Sequence, residues 1–289
     1  QSNFDYFSKA KESLIDPLAK KISEEVIWVK LDDKWGLLEF PIVIAGEGPP
    51  ILCLHGFDSS FLEFRRILPL LKTNFKLIIP DLLGFGFSPR LSGVNYTPQN
   101  IIQNLIDLLD KLKIDNDIKI VGASMGGSVA LTLSEKLSNN IQKMILLSPA
   151  GLFEEPKRIP PPFNQIGAAF LGTPFVRRNL CRQAFAFPYK SVGRKEEQIA
   201  SIHLGIKGWR NSLASFAKSG GFGGTNKYIQ NIPTKVVYGE NDRILGKQEI
   251  NKIRNLNEVN SINLKNCGHL PHLDLPYITA KIIQDFFIS

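Results

Sequence analysis

A chain of 289 residues, 43% hydrophobic and 21% charged, is long enough for one large globular core plus an insertion. No apolar run reaches the ~18 residues a membrane-spanning helix needs. Three cysteines (Cys53, Cys181, Cys267) and no visible secretory signal argue against a disulfide-stapled secreted domain and for reduced thiols in a cytoplasm-like compartment.

Residues 4–22 put Phe4, Phe7, Leu14, Ile15, Leu18 and Ile22 on roughly one helical face. Pro17 interrupts it, which predicts two short helices packed on the body. An amphipathic arm on a membrane or partner is the alternative. Strands are expected over 25–31 and 35–45, around the turn Asp32-Asp33-Lys34. The apolar run Ile51-Leu52-Cys53-Leu54 reads as a buried parallel strand. His55-Gly56-Phe57-Asp58-Ser59-Ser60 follows, with Asp58 expected to cap a helix over 61–72. A strand over 75–80 leads into the Gly-Phe loop Asp81-Leu82-Leu83-Gly84-Phe85-Gly86-Phe87-Ser88. Thr97-Pro98 opens a helix to about Lys113.

The next stretch organises the chain. Ile118, Ile120 and Val121 form a short strand pattern, a small-residue helix follows, and Gly122-Ala123-Ser124-Met125-Gly126 lies between. A serine on such a strand-to-helix turn is strained, and glycine is needed two residues to either side. The turn aims the Ser124 hydroxyl at the first amides of the helix, where negative charge is favoured. A nucleophilic serine needs a base, a carboxylate to orient it and oxyanion donors. Only four histidines are present. His269, in Cys267-Gly268-His269, follows a strand pattern at 261–264, and Asp242 follows another at 236–238 in Gly239-Glu240-Asn241-Asp242. His272 rivals His269 as base, and Glu240 rivals Asp242 as acid. His55 reads as structural, and His203 as a surface or pocket-wall residue. The order Ser124, Asp242, His269 is nucleophile, acid, base. Cys267 packs near the site without acting in it.

Residues 151–231 interrupt the strand–helix alternation with helical patterns and no clear strand. They hold 12 Lys and Arg against 4 Asp and Glu, which leaves the remainder with 23 of each sign. The whole net charge of +8 therefore sits on this segment. It is either a solubilising face or an attractor for an anionic substrate or membrane surface. No nucleic-acid motif accompanies it, and no Cys/His spacing suggests a metal.

Over about residues 24–288 the chain resembles the α/β-hydrolase-fold family, in its serine hydrolase branch. His55-Gly56-Phe57, the Ser124 turn, Gly239–Asp242 and Cys267–His269 carry the resemblance. It implies a mostly parallel central sheet flanked by helices. The expected division is an N-terminal helical extension (1–23), a core (24–150 and 232–289) and an inserted helical cap (151–231). It also implies that the backbone N–H groups of Phe57 and Met125 hold the oxyanion. A serine nucleophile argues against haloalkane dehalogenases and epoxide hydrolases, which use aspartate. The expected reaction is ester hydrolysis through an acyl-enzyme, with no cofactor and no metal. The rivals are carbon–carbon hydrolysis of a vinylogous diketone, haloperoxidase-like or acyltransferase activity, and a non-catalytic binding protein on the same fold.

Phe85 and Phe87, with the Phe-rich cap, suit a long acyl or isoprenoid chain, and suit ordinary packing of the cap just as well. Residues 57–66 resemble those of hydrolases related to chlorophyll dephytylases, which cleave an isoprenoid alcohol from a ring-carboxylate ester. The partner expected is a small-molecule ester, drawn from an anionic bilayer that the protein touches peripherally through Arg177, Arg178 and Arg182.

Overall fold

The computed structural model describes residues 2–289. In chain order the first half comprises α1 (Asn3–Ser13), α2 (Pro17–Glu24), β1 (Val26–Lys30), β2 (Glu39–Ala45), β3 (Pro50–Leu54), α3 (Leu68–Leu71), β4 (Lys76–Pro80), α4 (Pro98–Lys111), β5 (Ile118–Ala123), α5 (Met125–Lys136) and β6 (Ile141–Leu147). Five helices follow without a strand: α6 (Phe163–Leu171), α7 (Pro174–Gln183), α8 (Pro188–Ser191), α9 (Arg194–Ser201) and α10 (Trp209–Ser219). The chain then closes with β7 (Thr234–Gly239), α11 (Lys247–Arg254), β8 (Asn260–Leu264), α12 (Pro271–Asp274) and α13 (Pro276–Ile288).

The eight strands form one sheet in the order β1-β2-β4-β3-β5-β6-β7-β8. β1–β2 and β2–β4 are antiparallel, and every other pair is parallel. This is the α/β-hydrolase fold expected from the sequence. Because successive strand residues point to opposite faces, β3 sends Leu52 and Leu54 into one core and Ile51 and Cys53 into the other. Ile101 and Leu105 of α4 and Val129 of α5 cover the first face, while Phe7 of α1, Ile22 of α2 and Phe287 of α13 cover the second. Burial on both faces is why these strands are apolar throughout rather than alternating.

α1 and α2 lie on the body. Asp16 caps α2, accepting from Leu18 N at 2.7 Å and Ala19 N at 3.1 Å, with Pro17 at the first helical position. Two expected elements differ. Residues 35–38 do not pair as strand. Gly36 takes φ +66° and Leu37 φ +54°, turning the chain so that Trp35 enters the core and its indole N–H donates to Asp107 at 2.7 Å. The helix expected over 61–72 is split into a 3₁₀ turn, Phe61–Phe64, and α3. Pro69 has no N–H and would clash with the Arg65 carbonyl in a continuous helix.

The sheet order fixes where chemistry can occur. From β3 the chain moves to β4 on one side, then returns to β5 on the other, so the β3/β5 boundary is a topological switch point. Crevices at the carboxyl ends of strands at such points hold ligands. Leu54 pairs with Gly122, which sets the loop after β3 beside the turn after β5.

Candidate active site

Ser124 sits between β5 and α5 at φ +53°, ψ −121°. The flanking glycines are demanded by contact. A Cβ on Gly122 would lie 2.4 Å from Gly126 O, and one on Gly126 would lie 2.1 Å from Leu54 O. Ser124 N donates to Leu147 O at 2.9 Å, pinning the turn to β6. Met125 opens α5, so its N–H has no carbonyl one turn behind it. Among the described residues the Phe57 amide has no acceptor either. The expected oxyanion pair therefore sits on adjacent loops, with Gly56 packed against Ser124: a Cβ there would lie 3.3 Å from that of Ser124.

His269 reaches Ser124 and Asp242 at once. Its Nε2 lies 2.8 Å from Ser124 Oγ and its Nδ1 lies 2.8 Å from Asp242 Oδ2. Asp242 is fixed in turn: its Oδ1 accepts from Ile244 N at 2.8 Å and Leu245 N at 2.9 Å. Oδ2 is thus left for the imidazole, so Nδ1 carries the proton and Nε2 faces the serine hydroxyl as an acceptor. Glu240 is exposed in the same turn and reaches none of these groups. The β7 and β8 loops meet at Gly239, where a Cβ would stand 2.2 Å from the carbonyls of both Cys267 and Gly268.

The other histidines are engaged elsewhere. His55 Nε2 accepts from Leu82 N at 3.0 Å, so its Nδ1–H donates to Gly56 O at 2.8 Å. Burial holds it neutral, with a pKa of about 4. His272 stacks on Phe64 and lies 3.2 Å from the buried carboxylate of Glu63. Glu63 Oε1 accepts from Gly56 N at 3.4 Å, so this pair braces the loop that carries Phe57 from beneath. His272→Ala should accordingly keep at least a tenth of the wild-type rate, against near-complete loss in His269→Ala. Kinetics on one chromogenic ester would decide it, and the opposite ranking would move the base to His272. The thiols are held in the neutral form: burial pushes Cys181 up to about 11 and Cys267 up to about 12.

A cavity of about 280 Å³ opens beside Ser124 and His269. Phe57, Leu171, Leu180, Phe185, Leu270 and Leu273 make an apolar wall, and Asp58, Glu63, Arg65, Arg177 and His203 lie along its polar side. Phe85 and Phe87, expected to bind substrate, do not line it. Phe85 sits one layer behind, edge-on to Phe57 at 5.8 Å, and Phe87 packs against Phe7 at 5.1 Å on the opposite core face. Two glycines, Gly84 and Gly86, take positive φ and fold that loop inward, so both rings are spent on packing.

Asp58 is a second correction. It caps no helix; Ser60 caps the following turn, accepting from Leu62 N at 3.2 Å. Asp58 instead receives His203 Nε2 and Trp209 Nε1, each at 2.9 Å on Oδ1, and an ion pair from Arg177 on Oδ2. One carboxylate next to Phe57 thus holds α7, the turn after α9, and α10. A polar residue after His-Gly-Phe was visible in the sequence, but its partners lie more than a hundred residues away and nothing local signalled them.

Comparison with known proteins agrees with this architecture. The sequence model of the family described as alpha/beta hydrolase fold matches residues 49–173. The alpha/beta hydrolase domain-containing protein VTE7 of Arabidopsis thaliana is 26% identical, covering 97% of this chain and 89% of that protein. A 2-hydroxy-6-oxo-6-(2'-aminophenyl)hexa-2,4-dienoic acid hydrolase of Metapseudomonas resinovorans is 25% identical over 93% of this chain and 94% of its own. Lipase 1 of Psychrobacter immobilis is 26% identical, with coverage of 84% and 77%. Among solved structures, the meta-cleavage product hydrolase CumD of Pseudomonas fluorescens superposes with a TM-score of 0.75 at 20% identity, over 91% of this chain and 98% of that one.

Proposed function

We propose that this chain, which has the α/β-hydrolase fold and matches the model of that family over residues 49–173, is a serine hydrolase cleaving carboxylic esters with an apolar acyl or alcohol chain. The observation that carries this reading is the unbroken relay Asp242–His269–Ser124, 2.8 Å at each link. Ser124 Oγ attacks the ester carbonyl as its proton passes to His269 Nε2. The imidazolium is stabilised by Asp242, and the carbonyl oxygen, now an anion, is held by the Phe57 and Met125 amides and the α5 dipole. His269 returns the proton to the departing alkoxide, leaving an acyl-enzyme. Water then repeats the sequence, with His269 again as base, and releases the acid. No step calls on a cofactor or a metal ion.

The apolar wall of the cavity and the lipase among the relatives support an ester with a hydrophobic chain. We read the inserted helices, roughly residues 151–231, as the cap over that chain. Such a substrate partitions into lipid, so peripheral contact with an anionic bilayer is part of this proposal. Carbon–carbon hydrolysis is the second reading. It is favoured by the dienoic acid hydrolase among the relatives. A fluorophosphonate probe should label the wild type and not Ser124→Ala; equal labelling would defeat the serine-nucleophile reading. A chain-length panel of nitrophenyl esters, with a ring-fission diketone beside it, separates the two reactions. Turnover of the diketone alone would establish the second.

A further inference from the structure

α6 is oriented against the usual rule for a surface helix. Its inward positions are the polar Asn164 and the small Ala168, and Asn164 Nδ2 donates to Ala214 O at 3.1 Å. Its outward positions are Phe163, Ile166 and Phe170, spaced i, i+3, i+7 on one face and 64%, 58% and 61% exposed. No residue of α6 is charged. The exposed row continues into the elements packed beside it, with Phe175 opening α7 and Phe187 and Tyr189 at α8. Large apolar side chains exposed together on one face mark a contact site.

The charge around it selects the partner. Residues 157–195 contain eight Lys and Arg and no Asp or Glu. Two of the cations expected to meet a membrane are otherwise committed: Arg177 is turned inward to Asp58, and Arg178 lies 3.3 Å from Glu197. Arg182 remains, set over the Tyr189 ring at 5.5 Å, together with the exposed Lys157, Arg158, Lys190, Arg194 and Lys195. Aromatic side chains interleaved with unopposed cations match an anionic lipid surface, with the rings entering the headgroup–acyl boundary and the cations meeting the headgroups. The same helices reach the active site. Leu180 of α7 is exposed and also lines the cavity.

We propose that the outer face of α6, α7 and α8 docks on an anionic bilayer and brings the mouth of the Ser124 cavity to the lipid surface. The docking rests on the exposed rings and charges; only the delivery of an ester through it rests on the ester-hydrolase reading.

The test is co-sedimentation of the whole chain with phosphatidylcholine vesicles, with and without phosphatidylglycerol. The wild type should prefer the anionic vesicles, and salt should weaken the preference. Phe163→Ser/Phe170→Ser/Phe175→Ser should bind them at least ~10-fold more weakly. Arg182→Gln/Lys190→Gln should lose about 5-fold per charge. All should hydrolyse a short soluble ester at the wild-type rate. Equal vesicle binding by wild type and variants overturns the proposal, as does a wild type that ignores phosphatidylglycerol. A dimer in sedimentation velocity that the serine substitutions dissociate, without vesicle binding, makes a second copy of this chain the occupant instead. Vesicle binding without fluorophosphonate labelling of Ser124 leaves the docking intact and defeats the hydrolase reading.

Discussion

Ser124→Ala is expected to fold normally and to lose ~10⁴-fold or more in kcat/KM on its best ester, with His269→Ala and Asp242→Asn close behind. The alanine keeps the Cβ at φ +53°, so backbone strain is unchanged and only the hydroxyl is lost. Asp242→Asn works through geometry. The Ile244 and Leu245 amides hold the side-chain carbonyl oxygen, which turns the amide N–H₂ toward His269. His269 Nδ1 must then accept rather than donate, so Nε2 carries the proton and cannot take one from Ser124. Combining the three changes should cost little more than Ser124→Ala alone, because the groups act as a unit. Steady-state kinetics, with circular dichroism to verify folding, would check this. Additive losses would mean that the three side chains contribute separately.

The meeting of Ser124, Asp242 and His269 was legible because each follows a strand pattern, and the ends of parallel strands converge on one edge of the sheet. The same local logic failed wherever the deciding partner was remote. Asp58 looked like a helix cap because Ser, Asp and Asn before helical patterns usually are, whereas three donors from the inserted helices claim it here. Phe87 looked like a pocket residue from its loop, but Phe7, eighty residues earlier, draws it to the other core face. Glu63 carried no signal at all, since its value lies in bracing Gly56 and meeting His272. The Phe-rich character of the insertion was plain in the sequence, while the outward direction of most of those rings was not.

Asp58→Ala should destabilise the protein by about 3–5 kcal/mol, lowering the thermal midpoint by roughly 10 °C. The change leaves the Arg177 guanidinium, the His203 ring and the Trp209 indole without their shared acceptor inside the protein. The carboxylate also gives stability a pH dependence. Burial alone would raise its pKa, but the facing His203, Arg177 and Trp209 groups outweigh burial and hold it at about 2. Because the folded value lies below the ordinary one, the contribution is full above about pH 4 and fades as pH falls toward 2, amounting to about 2 kcal/mol. Acid titration of the unfolding midpoint should therefore fall more steeply below pH 4 in the wild type than in Asp58→Asn. Parallel curves would show that Asp58 is not ionised in the fold.

The loops bearing Asp242 and His269 are sewn to the chain between α7 and α8. His269 N donates to Ala184 O at 3.0 Å, Asp274 accepts from Ala186 N at 2.8 Å and Gly268 N at 2.7 Å, and Arg243 donates to the carbonyls of Phe185 and Ala186. These are main-chain bonds on the side of the insertion, so they persist whatever side chains occupy 184–186. The insertion is therefore not an interchangeable module. A chimaera that replaces the helices between β6 and β7 must carry its own matching tripeptide or retain this one, or it will displace the loops that hold Asp242 and His269. Helix α6, which makes none of these bonds, carries no such obligation.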